Sequence, residues 1–258
     1  MHINELFDLT GQVAVVSGGY GIYGRPICEA LAEAGAHVVI AARDRARCEE
    51  CARTLRQRGL LVSAECYDQG EEDSILELRQ RLSQRFDAID VLVNNAVSRP
   101  MRAYADDLDR WRESMDVNST GLFAICRTFL EPMMARRKGS VVNIGSIQSV
   151  AAPRFALYAD TDMTTSPDYH FHKHGLIGLT SYLAAWAGPA NVRVNAVSPG
   201  GFDTGDAPTS FRTRYDEHTL LGRMAGHDDI KGAVLFLASA AAAYITGENI
   251  RVDGGYSR

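Results

Sequence analysis

No stretch of this chain stays apolar long enough to cross a membrane, which takes roughly 18 to 20 such residues. Its first residues, MHINELFDLTGQ, carry two carboxylates and no apolar run of the kind a secretory signal needs. Both absences predict a cytoplasmic protein with no membrane partner. A basic excess is also missing. Against 27 lysines and arginines stand 32 aspartates and glutamates, for a formal net charge of -5, so an electropositive nucleic-acid surface is not expected. Cysteine is scarce and odd in number: Cys28, Cys48, Cys51, Cys66 and Cys126. Cys48 and Cys51 form a C-x-x-C, but no second ligand pair of suitable spacing follows. The expectation is reduced thiols and no metal. Asn118-Ser119-Thr120 spells a glycosylation sequon, read as chance in a chain without a signal peptide. Linker-like Pro/Ser/Gly tracts and internal repeats are absent too, so residues 1–258 are taken as one domain.

What is present is apolar material in short pieces, 46% of the residues. Val13–Val16, Val38–Ala41, Val91–Val93, Val141–Ile144 and Val192–Val197 are β-branched or apolar at nearly every position, the pattern of parallel strands covered on both faces. Leu61–Tyr67 and Asn249–Val252 are further strand candidates. Between them, Ile27, Ala30, Leu31 and Ala34, and then Ile75, Leu78 and Leu82, recur at helical spacing. The alternation predicts an α/β fold: one doubly wound, Rossmann-like parallel sheet of about seven strands with helices on both faces. Residues 152–168 and 200–225 read as loops beside a substrate site.

Directly after the first strand, Gly19, Gly21 and Gly24 satisfy G-x-G-x-x-G ahead of a helix. In that setting glycines let the backbone turn tightly and approach a pyrophosphate at a helix N-terminus. The second strand ends in Ala42-Arg43-Asp44. Arg43 suits the 2′-phosphate of NADP, while Asp44 leaves NAD open.

Further segments, in order along the chain, resemble the short-chain dehydrogenase/reductase family. They are Asn94-Asn95-Ala96, Asp116-Val117-Asn118, Asn143-Ile144-Gly145-Ser146, the Y-x-x-x-K from Tyr169 to Lys173, Ser198-Pro199-Gly200 with Thr204, and Val252-Asp253-Gly254-Gly255. The resemblance implies Tyr169 as acid/base, Lys173 as its electrostatic partner and a ribose ligand, Ser146 on the reacting oxygen, and Asn118 holding a water. It also implies a cofactor seat from Gly18, Gly19, Gly21, Ile22, Gly24, Arg43, Asp68, Asn94, Ala96, Pro199, Gly200 and Thr204. The residue types make chemical sense, since tyrosine is a poor acid/base near neutrality unless a nearby cation stabilises its phenolate.

Two departures stand out. Ile22 occupies the place of the family's middle glycine, with Gly21 one residue earlier. Ser146 and Tyr169 are 23 positions apart, roughly twice the family's usual separation. Tyr158 lies at the usual spacing, but the residue one turn on is Asp162, which supplies no cation. Residues 158–168 therefore read as an insertion beside the site, similar to one in a subgroup from bacterial sugar-modifying pathways. Arg99, Arg102, Gln148 and Arg154 follow strand ends on the substrate side and point to a hydroxylated or anionic small molecule. The histidines at 170, 172 and 174 read as surface or pocket-wall residues. The expected activity is NAD(P)-dependent interconversion of a carbonyl and a secondary alcohol. The alternatives are 3-oxoacyl-thioester reduction and a non-catalytic dinucleotide-binding role. Family resemblance and a long helix around Leu108–Arg136 are compatible with a homodimer or homotetramer.

Overall fold

A computed structural model describes residues 2–258. Its centre is a parallel sheet of seven strands in the order β3-β2-β1-β4-β5-β6-β7: β1 (Val13–Ser17), β2 (His37–Ala42), β3 (Val62–Cys66), β4 (Val91–Asn94), β5 (Gly139–Ile144), β6 (Val192–Pro199) and β7 (Asn249–Val252). The apolar runs become these strands to within two residues at either end. Strand periodicity then divides their side chains between two cores. Ala14, Val16, Val38 and Ile40 face one side, where they meet α2 (Gly24–Glu33), α3 (Arg45–Arg56) and α9 (Lys231–Ala238). Val15, Val39, Leu92 and Val141 face the other, under α4 (Glu72–Ser83), α6 (Gly121–Arg136) and α7 (Pro167–Ala187). A strand buried on both faces needs no polar alternation, which is why these segments are continuously apolar.

The chain winds outward from β1 to β3, then returns to place β4 on the other side of β1. Loops leaving the C-terminal ends of β1 and β4 diverge there, opening the crevice where α/β sheets bind ligands. Val13, Val16 and their neighbours thus determine where the glycine turn must lie.

Three local features differ from the sequence pattern. Residues 152–168 are not all loop, for Phe155–Tyr158 form a 3-10 turn and α7 begins at Pro167. Within 200–225, α8 (Thr209–Glu217) is helical. It buries Phe211 and Tyr215 against Leu157, Met224 and Tyr256, and two apolar residues are too few to announce a helix. The long helix around Leu108–Arg136 is α5 (Leu108–Met115) running into α6 through a π-helical turn at Asp116–Thr120.

Candidate active site

The glycine turn is defined by close approaches. Gly18 has φ +62°, and a Cβ there would lie 2.9 Å from the Ala96 Cα. A Cβ on Gly24 would collide with the Gly18 carbonyl, so α2 can start this close to β1 only with glycine. The Ser17 hydroxyl accepts from the N–H groups of Asn95 (2.9 Å) and Ala96 (3.0 Å), and the Asn95 amide donates to the Gly18 carbonyl at 2.9 Å. These bonds join the ends of β1 and β4. Gly21 donates to Gly18 and Arg25 to Gly21, while the N–H groups of Ile22, Tyr23 and Gly24 have no backbone acceptor among the described residues. Free N–H groups at the start of α2 fit a pyrophosphate.

Ile22 does not fill the turn. Its side chain is 58% exposed and stands on the rim. Its neighbour Tyr23 spans the crevice, its hydroxyl donating to the Gly200 carbonyl at 2.8 Å and its ring meeting Phe202 edge-on at 5.2 Å. At the far end Arg43 is exposed. The Asp44 carboxylate is engaged, capping α3 through the Arg47 N–H at 3.0 Å. Asp68 orients its own turn by accepting from the Gly70 N–H at 2.9 Å. The Asn94 side chain is buried and points inward, donating to the Asn143 amide oxygen at 2.8 Å. Pro199 and Gly200 close β6, and Thr204 lies exposed beyond them. The unpaired N–H groups of the glycine turn and the exposed Arg43 just past β2 fit a dinucleotide.

The opposite wall carries the acid/base candidates. Ser146 sits just past β5, with its hydroxyl accepting from the Gln148 N–H at 3.1 Å. Pro167 opens α7 at a position that tolerates proline, placing Tyr169 in the first turn and Lys173 one turn on. The Lys173 ammonium donates to the Ile144 carbonyl at 2.6 Å and lies 5.8 Å from the Tyr169 ring centre. The Arg99 guanidinium covers the same ring at 4.2 Å. Burial opposes ionisation of the phenol. The charges of Lys173 and Arg99, with hydrogen bonding from Ser146 and Arg99, outweigh it and hold Tyr169 below the usual tyrosine range. Burial in turn pulls Lys173 below the ordinary lysine range.

Asn118 lies in the π-turn. Its side chain accepts from the Ser98 N–H (2.9 Å) and donates to the Ser98 carbonyl (2.8 Å) and the Ser114 hydroxyl (3.0 Å). Ser114 donates to the Asp168 carboxylate at 2.5 Å. A buried chain thus links the residue before Tyr169 to the segment that carries Arg99. Beside these groups, Gln148, Arg154, Tyr158, Tyr215 and Tyr256 line a depression. Tyr158 is part of that wall, its ring 5.4 Å from Phe211, and burial raises its phenol. Arg214 of α8 holds the insertion, 3.1 Å from the Asp160 carboxylate. Arg102 is exposed, its N–H donating to Asp106.

Residues 19–257 match a family profile described as enoyl-(acyl carrier protein) reductase. The chain is 34% identical over 252 residues to the 3-oxoacyl-[acyl-carrier-protein] reductase of Aquifex aeolicus, covering 96% of this chain and 98% of that protein. It is 34% identical over 267 residues to the galactitol 2-dehydrogenase (L-tagatose-forming) of Cereibacter sphaeroides, covering 100% and 99%. A gluconate 5-dehydrogenase from Burkholderia cenocepacia, solved with NADP and tartrate, superimposes with a TM-score of 0.89 at 30% identity, over 99% of both chains. The chain belongs to the short-chain dehydrogenase/reductase family. It is an NAD(P)-dependent oxidoreductase on a Rossmann-like sheet.

Several features of this short-chain dehydrogenase/reductase escape sequence reasoning. The bond between Ser114 and Asp168 joins residues 54 positions apart. Tyr23 in the crevice carries no pattern beyond its place in the glycine turn. His172 is buried at 3% exposure, so it belongs to the pocket wall and not to the surface. Its position directly before Lys173 on the inner face of α7 was the available signal. Cys48 and Cys51 are free thiols inside α3. Glu29, His227 and Asp228 converge with metal-like spacing, but the Lys231 ammonium lies 2.7 Å from Glu29 and 3.0 Å from Asp228. Among the described residues, no helix is long and apolar enough to cross a membrane.

Proposed function

We propose that this enzyme interconverts a secondary alcohol and a carbonyl on a small hydroxylated or anionic molecule, a sugar derivative, with NADP preferred over NAD. The observation that carries the reading is Tyr169 with two cations close to its ring, Lys173 and Arg99, beside the Ser146 hydroxyl. When bound, the dinucleotide would supply the redox chemistry, hydride leaving NADPH in reduction and entering NADP+ in oxidation. In reduction, Ser146 orients the carbonyl oxygen and Tyr169 donates its phenolic proton to the oxygen as negative charge develops there. In oxidation, the Tyr169 phenolate takes the alcohol proton. Lys173 stabilises that phenolate and holds the cofactor's ribose. Asn118, its side chain committed to Ser98 and Ser114, fixes the segment before Arg99 and leaves any water to its backbone.

The seat of the cofactor is assigned to Gly18, Gly19, Gly21, Ile22, Gly24, Asp68, Asn94, Ala96, Pro199, Gly200 and Thr204, with Arg43 on the 2′-phosphate. The preference for NADP rests on Arg43 being exposed while the Asp44 carboxylate is occupied as a helix cap. An anionic or polyhydroxylated substrate is supported by Arg154 and Gln148 lining the depression and by Arg99 over the Tyr169 ring. It is further supported by relatives named for galactitol and gluconate. Reduction of a 3-oxoacyl thioester is the second reading, favoured by the Aquifex aeolicus relative.

Phe171, Tyr182 and Trp186 are 58%, 64% and 64% exposed on α7, and Phe123 is 43% exposed on α6. A second copy covering this face would give the homodimer or homotetramer. Light scattering across protein concentration tests it, and a monomer throughout removes it. For the activity, nicotinamide fluorescence with NADPH and NADH comes first. Polyols, sugar acids and an acetoacetyl thioester are then screened with the better cofactor. Turnover of the thioester alone would replace the sugar reading by the second one.

A further inference from the structure

The depression lined by Gln148, Arg154 and their neighbours has an aromatic floor and a cationic rim. Leu157, Tyr215 and Tyr256 are buried in it, whereas Arg154 reaches solvent. The rings of Tyr215 and Tyr256 stack, with centres 4.9 Å apart and planes at 24°. Tyr158 lines the same wall. The charges of Arg99 and Tyr169 act on its phenol, and Tyr158 and Arg154 act in turn on that of Tyr256. A row of phenols therefore leads from the acid/base to Arg154. Burial pushes Tyr256 up to about 12, so it stays a neutral ring.

Arg154 is held in place without being neutralised. Its guanidinium lies 5.4 Å from the Tyr256 ring centre, and its Nη1 is 3.4 Å from Nδ1 of His218, just past α8. An arginine can only donate, so His218 accepts there, and the remaining N–H groups of the fork are left for a ligand. No aspartate or glutamate lines the depression. The insertion's own carboxylate, Asp160, pairs with Arg214 instead.

We propose that Arg154, posed by Tyr256 and His218, receives a carboxylate at the end of the substrate away from the reacting carbon, so that the enzyme selects sugar acids over neutral polyols. A single planar fork matches the two oxygens of a carboxylate. The tyrosine rings offer apolar faces to the carbon chain, and Gln148, bonded to Thr165 at 2.9 Å, offers a fixed polar group to its hydroxyls. The proposal deepens the sugar-derivative reading and rests on it for the reacting end of the molecule. Its anionic end is read from Arg154 and its neighbours alone.

The test reads binding, not turnover. Calorimetry is run on the full-length protein loaded with the reduced dinucleotide, with which an alcohol cannot exchange hydride. The probes are D-gluconate, D-galactonate and meso-tartrate, each against the alditol of the same carbon chain: D-glucitol, galactitol and erythritol. At least one acid should bind about ten- to a hundredfold more tightly than its alditol. Arg154→Gln, a change at an exposed residue, should bring that acid to the level of the alditol and leave the alditol and the dinucleotide unmoved. Tyr256→Leu should weaken the acid by about two- to fivefold, and Tyr256→Phe, which keeps the ring under the guanidinium, should not. Acids that bind no better than their alditols overturn the proposal. So does a preference for acids that survives Arg154→Gln, and its loss in Arg99→Leu instead would put the carboxylate beside Tyr169. If Tyr256→Leu does not fold, Arg154→Gln decides. The expected binding in a protein that transfers no hydride would keep the carboxylate site and remove the functional reading, and oxidation of alditols with no preference for acids would do the reverse.

Discussion

The two ends of the cleft are built on opposite terms. At the chemistry end Ser146, Asn118 and Lys173 are 7%, 5% and 5% exposed, and each is bonded to backbone or to another buried side chain. At the end proposed for the adenosine, Arg43 and Asp44 lie in solvent beside a single helix cap. A proton transfer tolerates little displacement, so its groups are fixed from several sides at once. Discrimination between a phosphate and a hydroxyl needs only a charge within reach, and an exposed guanidinium supplies that. The chemistry end is therefore rigid and the adenosine end adjustable by single substitutions.

The sharpest way to break this contrast is Tyr169→Phe. Loss of the phenolic proton carrier should lower kcat by about 10²- to 10⁴-fold. Cofactor titration should stay unchanged, because the ring still fills its place beside Arg99 and Lys173. Retained turnover would mean that another group handles the proton. Next comes Arg43→Ala. A charge-assisted contact to the 2′-phosphate is worth about 1.5–3 kcal/mol, or roughly ten- to a hundredfold in Kd for NADPH. NADH binding should hardly move. Equal losses for both cofactors would place Arg43 on a group they share.

How far the sequence foretold these two ends follows from what kind of contact builds each. The strands were legible because Val13–Val16 and Val141–Ile144 are buried on both faces and so remain apolar at every step. The glycine turn was legible because Gly18 and Gly24 answer local steric demands. Asp168 and Ser114 form their bond only after α5 and α7 pack, and neither residue's neighbours announce it. The π-turn at Asp116–Thr120 was hidden because one added residue barely disturbs helical periodicity. Helix α8 was hidden among the polar residues of a segment with only Phe211 and Tyr215 to bury. Ile22 stands in the place of the family's middle glycine, yet its exposed side chain leaves the turn's N–H groups free.

A smaller effect probes the link between the Tyr169 charge environment and pH. The phenol lies below the ordinary tyrosine range, partly because of Arg99. Oxidation needs the phenolate, so its rate should rise as pH climbs through that lowered pKa. Reduction needs the phenol and should fall over the same interval. Arg99→Leu removes one of the two cations and should move both midpoints upward, by less than about one unit for a partly solvated charge. Unmoved midpoints, with KM raised only for anionic substrates, would assign Arg99 to substrate binding alone.

The smallest expected effect is also the cleanest comparison of the two ends. Asp44→Ala removes the side-chain cap of α3, with the Arg47 N–H left to water, at a cost of about 1 kcal/mol. In a chain of this size that lowers Tm by about 2–4 °C. Because the carboxylate is already bonded to its own helix, the ratio of NADPH to NADH affinity should not change. A shift of that ratio toward NADPH would mean Asp44 leaves its cap to meet a ribose hydroxyl. The adenosine end would then read both cofactors, with Arg43 and Asp44 as alternative partners for the same ribose position.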